Sequence, residues 1–559
     1  MGKKPGEILF LVAVLAAIAG LCFFVIPPGL SSNEEAVQYV QMKNFALNGS
    51  LEIQSPAFGL GFEANDLAGP RGLFVSRDGR LYATQPPLFP WTASLFYPFF
   101  GERAVDFAPI LFLLLSALIL GLILDRLMER DYLYWLLLGA YLVGSPVFLQ
   151  GLMFSGMTLA LFLIVYALWL MVGHFGNKPS TAKLFGASIL LGISVLARLE
   201  CIVIALSFYL GAAIVLAAQK RRKDLRAVLA ACVVSACVFV LHDVVLHDRF
   251  PGPYLEMLLP FYTLSPIRVA ALGGSLALSF VLIILSLRQG ISPVRKAILS
   301  ILSVILVFSA VLLTAARISV SHLMALFPAV LFVFYGVPER LERLKKGEGT
   351  LEAILAVSVV FSLVLGAAIL RPGEWIVLSV WLPAVPLVIL FMALERNVIF
   401  AARGMCIVLA FFCGVAFVNG IQESEDRFLK YKDYNAARIA FLEKHTSAGD
   451  AIFFGDAGSM EHAGPLLFHR VFLLAKTPGD EERFARRLSE GGIDRMYAWT
   501  TNPMSIKGFN PYGGKSQPVF ALPQALKSCC SGSCKERNYH LVRLETRAVS
   551  STGAGRGGS

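Results

Sequence analysis

The chain has 559 residues, of which 56% are apolar and only 16% charged, so its composition excludes an ordinary soluble globular protein. The net charge of +11 would suit a nucleic-acid partner, but the Lys and Arg residues cluster in short runs between apolar segments, as at residues 220–223. Such runs are typical of the cytoplasmic loops of membrane proteins and lack the continuous basic face of a nucleic-acid site, so we expect no nucleic-acid partner.

The apolar segments predict a polytopic α-helical membrane protein, because about 20 apolar residues in a helix cross a hydrocarbon core about 30 Å thick. The first segment is predicted to be a retained signal-anchor, since its apolar run is long and no small-residue cleavage site follows it. The thirteen predicted spans lie at residues 7–27, 106–124, 132–150, 156–173, 184–198, 201–218, 227–246, 268–287, 297–315, 321–336, 351–370, 374–394 and 402–420.

The basic residues between these spans predict the topology. If the N-terminus is cytoplasmic, the basic linkers fall in the cytoplasm, and the loop at 28–105 and everything after residue 420 lie outside. This assignment depends on separating the spans at 184–198 and 201–218, which are divided only by Arg198, Leu199 and Glu200. Merging the two would place the basic run after residue 219 on the outer side, so we keep them separate.

The first loop, residues 28–105, carries the candidate chemistry. Glu34 and Glu35 come a few residues after the first span, and residues 37–47 have a helical periodicity that ends at an Asn-Gly-Ser turn. Near the end of the loop, the sequence DGRLYATQPPLFPW at 78–91 predicts a rigid turn that skims the membrane. Two prolines restrict its backbone, and the aromatic residues after them favour the membrane interface.

The tail, residues 421–549, is too polar for lipid and predicts a small α/β domain. We expect helices at 434–444 and 480–490 and strands at 451–454, 471–474 and 495–499, an alternation that predicts a parallel sheet. Residues 550–559 are rich in Ser and Gly and are expected to be disordered. Cys529, Cys530 and Cys534 leave two possibilities open, one disulfide with a spare thiol or a zinc site.

The loop features together resemble those of the GT-C superfamily of membrane glycosyltransferases. The shared features are a carboxylate pair after the first span, a helix ending at an Asn-Gly turn, and the segment from Asp78 to Pro87 before the second span. The similarity is to the prokaryotic branch that includes aminoarabinose and protein mannosyl transferases. Other segments that resemble this branch are Ser145-Pro146, Arg198-Leu199-Glu200 and residues 317–328.

The resemblance implies a GT-C-like membrane domain at 1–420 and an extracytoplasmic α/β domain at 421–549, in the cytoplasmic (inner) membrane of a prokaryote. It also implies transfer of a sugar, with inversion, from a polyprenyl-phosphate donor to a lipid, glycan or protein acceptor on the outer face. In this chain Glu34 stands where the family often has Asp, and Gln85 where it often has Lys or Tyr.

By the same resemblance, Glu34 is the base that deprotonates the acceptor hydroxyl. Glu35 orients Glu34, bonds the acceptor or, together with Glu34, binds a divalent cation such as Mg or Mn. The candidates for stabilising the departing phosphate are Arg198 and Arg317 first, then His322 and Arg80. The residues implied to form a substrate loop are Tyr82, Gln85, Pro86 and Pro87.

Each assignment has a simpler alternative. Glu34 and Glu35 could be solvated loop carboxylates, and Arg198 and Arg317 could anchor the ends of helices by snorkelling. The whole chain could instead be a lipid or solute transporter or flippase, or a non-catalytic scaffold subunit of a glycan assembly complex. A transporter predicts paired repeats and broken helices at the membrane midplane, and the sequence has no convincing internal repeat.

Overall fold

The computed structural model of the chain describes residues 30, 32–54, 56–62, 74–77, 80–83, 85–142, 147–175, 180–247, 349–369, 382–394, 430–454, 466–475, 478–500, 519–520 and 539–544, and residues 20, 274, 278 and 343 singly. The chain divides into two compact units. We call Met1–Ile26 with Asp106–Ser424 the helical unit, and Pro27–Val105 with Glu425–Ser559 the loop–tail unit.

Helix α1 spans Asn33–Asn48 and opens the described part of the loop–tail unit. It begins where the Ser32 hydroxyl accepts a hydrogen bond from the backbone N–H of Glu35 at 3.2 Å. It ends at Gly49, whose φ of 63° is left-handed and whose N–H donates to the carbonyl of Phe45. Because Ser caps the free N–H groups at a helix start and Gly permits the left-handed turn at its end, both ends are encoded locally.

A short helix and a β-hairpin follow α1. Helix α2 spans Pro56–Gly59, and β1 (Phe74–Arg77) pairs antiparallel with β2 (Arg80–Ala83). The N–H of Ile53 donates to the carbonyl of Leu81 at 2.7 Å, which attaches the hairpin to the segment that leaves α1.

Two more short helices lead towards the first described span. Helix α3 spans Leu88–Ser94, α4 spans Tyr97–Phe100, and a 3₁₀ turn at Gly101–Arg103 joins them to the next helix. The side chains of Trp91 and Phe99 are 50% and 80% exposed. Exposed aromatic residues next to a span are typical of the lipid interface, and membrane contact of this segment stays a prediction.

The helical unit contains nine α-helices among the residues that the structure describes, and these pack side by side. They are α5 (Ala104–Leu127), α6 (Tyr132–Leu142), α7 (Val147–Gly151), α8 (Met157–Phe175), α9 (Thr181–Ala197), α10 (Cys201–Ala218), α11 (Arg222–His247), α12 (Thr350–Ile369) and α13 (Val385–Leu394). The first two residues of α5 belong to the loop–tail unit. A 3₁₀ turn at Leu382–Ala384 precedes α13.

Four helical segments in the described part of the chain are long and apolar enough to cross a membrane: Tyr97–Leu127, Met157–Phe175, Cys201–Ala218 and Arg222–Val245. They coincide with four of the predicted spans. Shorter apolar helices occupy four others, at Tyr132–Leu142, Thr181–Ala197, Thr350–Ser362 and Val385–Leu394. The predicted spans at 7–27, 268–287, 297–315, 321–336 and 402–420 lie outside the described residues.

The helices approach closely where the sequence supplies small residues. Helix α8 packs on α9, α9 on α11, and α10 on α12. At Gly211 in α10, an added Cβ would lie 2.6 Å from the hydroxyl oxygen of Ser358 in α12. Glycine therefore sets the distance between these two helices, as small residues do at helix contacts in membranes.

The separation of α9 from α10 was the critical assumption of the predicted topology. Helix α9 ends at Ala197, Arg198 is extended (φ −156°, ψ 115°), and α10 begins at Cys201. The backbone N–H of Cys201 donates to the carbonyl of Arg198 at 3.0 Å, so the break is a compact turn. The predicted break between two helices is confirmed at this position.

The tail forms a mixed five-stranded sheet with two helices, one before its first strand in sequence and one between its second and third strands. The strand order is β4-β3-β5-β7-β6, in which β4, β3 and β5 are parallel and β7 is antiparallel to both β5 and β6. The elements are α14 (Lys430–His445), β3 (Ala451–Phe454), β4 (Val471–Leu474), α15 (Pro478–Glu490), β5 (Met496–Thr500), β6 (Val519–Phe520) and β7 (Tyr539–Leu544).

The expected parallel sheet is therefore only half of the observed one. The strands at 451–454 and 471–474 and the helix between 480 and 490 stand where the sequence predicted them. Strands β6 and β7 were not predicted, and they add the antiparallel half. Two adjacent parallel strands need a long connection between them, such as a helix. Adjacent antiparallel strands, such as β5 and β7, have no such requirement.

The first loop and the tail belong to one unit because their apolar side chains share a core. The ring of Phe62, after α2, meets the ring of Phe484 in α15 edge to face, with centroids 5.5 Å apart. The guanidinium of Arg487 lies 5.2 Å from the centre of the Phe62 ring. In α1, the Lys43 ammonium lies 5.8 Å from the ring centre of Phe468.

Candidate functional site

Helix α1 carries an unusual number of buried polar side chains. Glutamate, glutamine and lysine are mostly exposed in folded proteins, and they remain buried only when other groups offset the loss of water. The buried polar residues of α1 are Glu35 (0% exposed), Gln38 (2%), Gln41 (5%), Lys43 (8%) and Asn44 (1%). The helix that was expected to carry the chemistry is therefore a polar element inside the fold.

The two candidate carboxylates have different surroundings. Glu34 is half-buried, and one of its oxygens accepts a hydrogen bond from Nε2 of Gln38 at 3.3 Å. Glu35 is fully buried and lies 3.4 Å from the hydroxyl of Ser32, whose oxygen in turn caps the Glu35 backbone N–H. This arrangement is related to a capping box, so Glu35 stabilises the start of α1. The signal for it, Ser followed three residues later by Glu, was present in the sequence.

A hydrogen bond brings the two halves of the loop motif together. Nε2 of Gln41 in α1 donates to the backbone carbonyl of Gln85 at 2.9 Å, and α1 packs against α3, which starts after Pro87. Gln85 and Pro87 are buried and Pro86 is half-buried. The predicted substrate loop therefore lies against the helix that carries Glu34.

Next to these residues, α1 carries a polar network that the sequence analysis missed. Tyr39 donates a hydrogen bond to the carboxylate of Glu102, and Nζ of Lys43 lies 3.0 Å from that carboxylate and 3.2 Å from the Tyr39 hydroxyl. Burial, and then the negative charge of Glu102, raise the pKa of Tyr39 well above its usual value. The spacing of Tyr39 and Lys43, four residues apart, places both on one side of α1 and was the available signal.

The hairpin residues lie further towards solvent. Arg80 is 62% exposed at its side chain and pairs with Glu52, with Nε 3.6 Å from the carboxylate. Tyr82, two residues along β2, is half-buried. An exposed pair of this kind contributes little to stability. Breaking it so that Arg80 could bind another partner would therefore cost little free energy.

Arg198 belongs to the helical unit, whereas Glu34, Glu35, Arg80 and the substrate loop belong to the loop–tail unit. Arg198 is buried in the turn between α9 and α10, where its Nε lies 3.3 Å from the carboxylate of Glu200. Two of the predicted phosphate ligands, Arg317 and His322, lie outside the described residues.

The described residues contain no group of three or more His, Cys, Asp or Glu side chains placed to hold a metal ion. Successive helical residues point about 100° apart, and Glu35 is engaged at the N-terminal cap of α1. Carboxylate oxygens suit a hard cation, so cation binding by Glu34 and Glu35 stays a prediction.

No protein-family model and no curated protein matches the sequence. Solved structures match at low identity. The crystal structure of the Archaeoglobus fulgidus oligosaccharyltransferase in complex with Zn and sulfate is 16% identical, with 88% of this chain and 68% of that chain covered and a TM-score of 0.50.

Two further structures are similar at a lower TM-score. ArnT from Cupriavidus metallidurans bound to undecaprenyl phosphate is 13% identical, covering 95% of this chain and 97% of that one, with a TM-score of 0.46. The archaeal oligosaccharyltransferase AglB from A. fulgidus in complex with an inhibitory peptide and a dolichol-phosphate is 12% identical, covering 89% and 70%, with a TM-score of 0.47. The likeness to the Zn and sulfate complex shows the fold, so the predicted GT-C resemblance is confirmed at that level.

Proposed function

We propose that this chain, a membrane protein with the fold of the GT-C glycosyltransferases, transfers a sugar from a polyprenyl-phosphate carrier to an acceptor hydroxyl. The observation that supports it most directly is the position of Glu34. Glu34 is a half-buried carboxylate at the start of α1, beside Gln38, on a helix joined to the proline-rich loop by the bond from Gln41 to Gln85. A carboxylate that is partly withdrawn from water suits a general base.

In the proposed reaction, the acceptor oxygen attacks the anomeric carbon from the side opposite the lipid phosphate. Glu34 takes the acceptor proton, the carbon–oxygen bond to the phosphate breaks, and the bonding electrons leave with the phosphate. The configuration at the anomeric carbon is thereby inverted. We assign the stabilisation of the phosphate charge to Arg198 and Arg317, with His322 and Arg80 as secondary candidates.

A divalent cation at Glu34 and Glu35 is also part of the proposal. The two carboxylates would hold the ion, and bound Mg or Mn would supply a Lewis acid beside the acceptor. Treatment of purified enzyme with EDTA, followed by addition of Mg or Mn, decides this point. Transfer that is lost with EDTA and restored by the ion assigns the cation a role, and transfer that persists removes the cation from the mechanism.

The main test is sugar transfer from radiolabelled polyprenyl-phosphate sugars in membranes that carry wild type or Glu34→Gln at matched expression. The amide keeps the shape of the side chain but cannot accept the proton, so transfer should fall about 10²–10⁴-fold. Glu52→Gln is the matched control, since Glu52 is a partly exposed carboxylate of the same unit that pairs with Arg80. Equal transfer by wild type and Glu34→Gln would remove Glu34 from the mechanism.

Transfer by neither protein, across several sugars and acceptors, would instead favour the transporter or scaffold alternatives. The phosphate role of Arg198 needs its own test because Arg198 also pairs with Glu200. Arg198→Gln should raise KM for the lipid donor more than Glu200→Gln does, since both variants break the ion pair and only the first removes a cation. Equal effects of the two variants would make Arg198 a structural residue.

We also propose that the loop–tail unit faces the outer side and that the N-terminus is cytoplasmic, in the inner membrane of a prokaryote. A single cysteine placed at the exposed Gln54 should react with a membrane-impermeant maleimide on intact cells. A cysteine at the exposed Arg222, at the start of α11, should react only after permeabilisation. The reverse pattern would invert the topology.

A further inference from the structure

Among the residues that the structure describes, four buried amide oxygens of the loop–tail unit have no hydrogen-bond partner, one of them Oδ1 of Asn435 in α14. The other three are Oε1 of Gln38, of Gln41 and of Gln85, on or against α1. The three residues are 2%, 5% and 7% exposed, so bulk water does not supply the missing hydrogen bonds. Buried acceptors without a donor are rare in folded proteins because each one costs free energy.

Gln38 and Gln41 lie on α1 together with Glu34, and Gln85 lies against that helix. Gln38 and Gln41 are three residues apart in α1, so they lie on the same side of the helix. Nε2 of Gln38 donates to Glu34 at 3.3 Å, and Nε2 of Gln41 donates to the backbone carbonyl of Gln85 at 2.9 Å. In Gln38 and Gln41 the amide nitrogen is therefore bound within the protein, while the amide oxygen remains as an open acceptor.

The amide oxygens without a partner among the described residues indicate which kind of ligand can bind, because they require hydrogen-bond donors. A phosphate group offers acceptors and few protons, so it would not satisfy these oxygens. A hydroxyl group donates one hydrogen bond and can accept others, and a sugar ring presents several hydroxyls in a small volume. Neutral amides suit a neutral partner of this kind, whereas the phosphate is the part of the proposed donor that requires cations.

We propose that Gln38, Gln41 and Gln85 form a sugar-binding subsite, in which their amide oxygens accept hydrogen bonds from the hydroxyl groups of a sugar beside Glu34. The subsite deepens the proposed function and rests on it, because it places the reacting sugar or its acceptor next to the proposed base. The sugar comes either from the polyprenyl-phosphate donor or from a glycan acceptor, since both present the same hydroxyl chemistry.

The test compares variants that remove an acceptor without changing the volume much. Gln85→Leu and Gln38→Leu remove one open oxygen each, and Gln54→Leu is the matched control at an exposed glutamine of the same unit. Each full-length protein is placed in lipid nanodiscs, and its thermal melting temperature is recorded beside its affinity for sugar. Because an unsatisfied buried acceptor destabilises the fold, Gln85→Leu should melt at the same temperature as wild type or higher.

Two binding experiments distinguish the two sources of the sugar. In the first, the affinity for undecaprenyl-phosphate mannose is compared with the affinity for undecaprenyl phosphate alone. In the second, saturation-transfer NMR measures binding of the methyl glycosides of mannose, glucose and N-acetylglucosamine. Gln85→Leu and Gln38→Leu should each lower sugar binding about tenfold in at least one experiment, while binding of undecaprenyl phosphate and the behaviour of Gln54→Leu remain unchanged.

A loss confined to the lipid-linked sugar assigns the subsite to the donor, and a loss confined to the free glycosides assigns it to the acceptor. The proposal is overturned if the folded leucine variants bind every sugar as wild type does, which would leave ordered water as the partner of the three oxygens. It is also overturned if wild type binds no sugar in either experiment. Sugar binding that depends on the glutamines, without any transfer, would preserve the subsite and reject the proposed reaction.

Discussion

Asn435 donates a buried hydrogen bond from Nδ2 to the backbone carbonyl of Leu30 at 2.7 Å, joining residues 405 positions apart. Asn435 belongs to α14, at the start of the tail, and Leu30 stands just before α1. The bond therefore fixes the entrance to the helix of the proposed site from the other end of the chain. The integrity of the site should depend on the tail, even though the tail contributes no proposed catalytic group.

Replacing Asn435 with Leu should destabilise the loop–tail unit by about 1–3 kcal/mol, because the buried carbonyl of Leu30 loses its donor. The measurement is thermal melting of the full-length protein, with limited proteolysis to report on the loop. Lys444→Leu is the matched control at an exposed position of the same helix. An unchanged melting temperature for Asn435→Leu would show that the bond does not hold the two segments together.

Gly49→Ala should cost about 1–2 kcal/mol, because φ at this position is 63° and a Cβ is unfavourable there. No atom lies within 4 Å of the position that the Cβ would take, so the penalty is one of backbone conformation alone. Gly49→Asn should recover part of the loss, since Asn tolerates the left-handed region. Gly59→Ala serves as control, with the same open space and no positive φ. A penalty that was equal at both glycines would contradict this explanation.

Gly211→Ala should destabilise the helical unit by about 1–3 kcal/mol through overpacking between α10 and α12. The added Cβ would lie 2.6 Å from Oγ of Ser358 and 3.1 Å from the carbonyl of Ile354, and neither can move without breaking the bond between them. Gly139→Ala provides the comparison, because no atom lies within 4 Å there and Ala favours a helix. Melting in detergent of the two variants should therefore shift in opposite directions.

The Tyr39 network predicts a loss of stability in strong alkali. Burial and the nearby Glu102 keep the Tyr39 hydroxyl protonated in the folded protein, whereas an unfolded tyrosine releases its proton near pH 10. Above about pH 10 the unfolded state binds fewer protons, so the free energy of unfolding decreases by up to about 1.4 kcal/mol per pH unit from this group. Tyr39→Phe should reduce that slope when unfolding is measured between pH 9 and 11. An identical slope in both proteins would exclude Tyr39 as its source.

What the sequence predicted correctly was local. The end of α1 at Asn48, the break at Arg198 and the strands at 451–454 follow from neighbouring residues, either a glycine, a short polar interruption or an apolar run. The antiparallel half of the sheet was missed because β6 has only two residues and because β7 pairs with β5 across the whole segment between them. Its existence depends on tertiary contacts that no local pattern contains.

In the candidate site, too, the sequence predicted what depends on neighbouring residues and missed what depends on tertiary contacts. The motif in the first loop identified Glu34 and the proline-rich segment, and the structure adds that Gln41 and Gln85 join them. Gln38 and Gln41 were passed over because glutamine is an ordinary surface residue of a helix, and only burial makes their amide oxygens informative. Burial on several sides of α1 comes from the whole unit and is not readable from α1 itself.

The division of one unit between two distant stretches of chain has a consequence for biosynthesis. The ribosome makes the segment that ends at Val105 about 320 residues before it reaches Glu425, where the remainder of the same unit begins. At a translation rate of about 5–20 residues per second, the early segment waits roughly 15–65 s for its partner. During that interval the polar helix and its apolar neighbours lack their final covering, and a nascent chain stalled before the tail would expose them to chaperones and proteases.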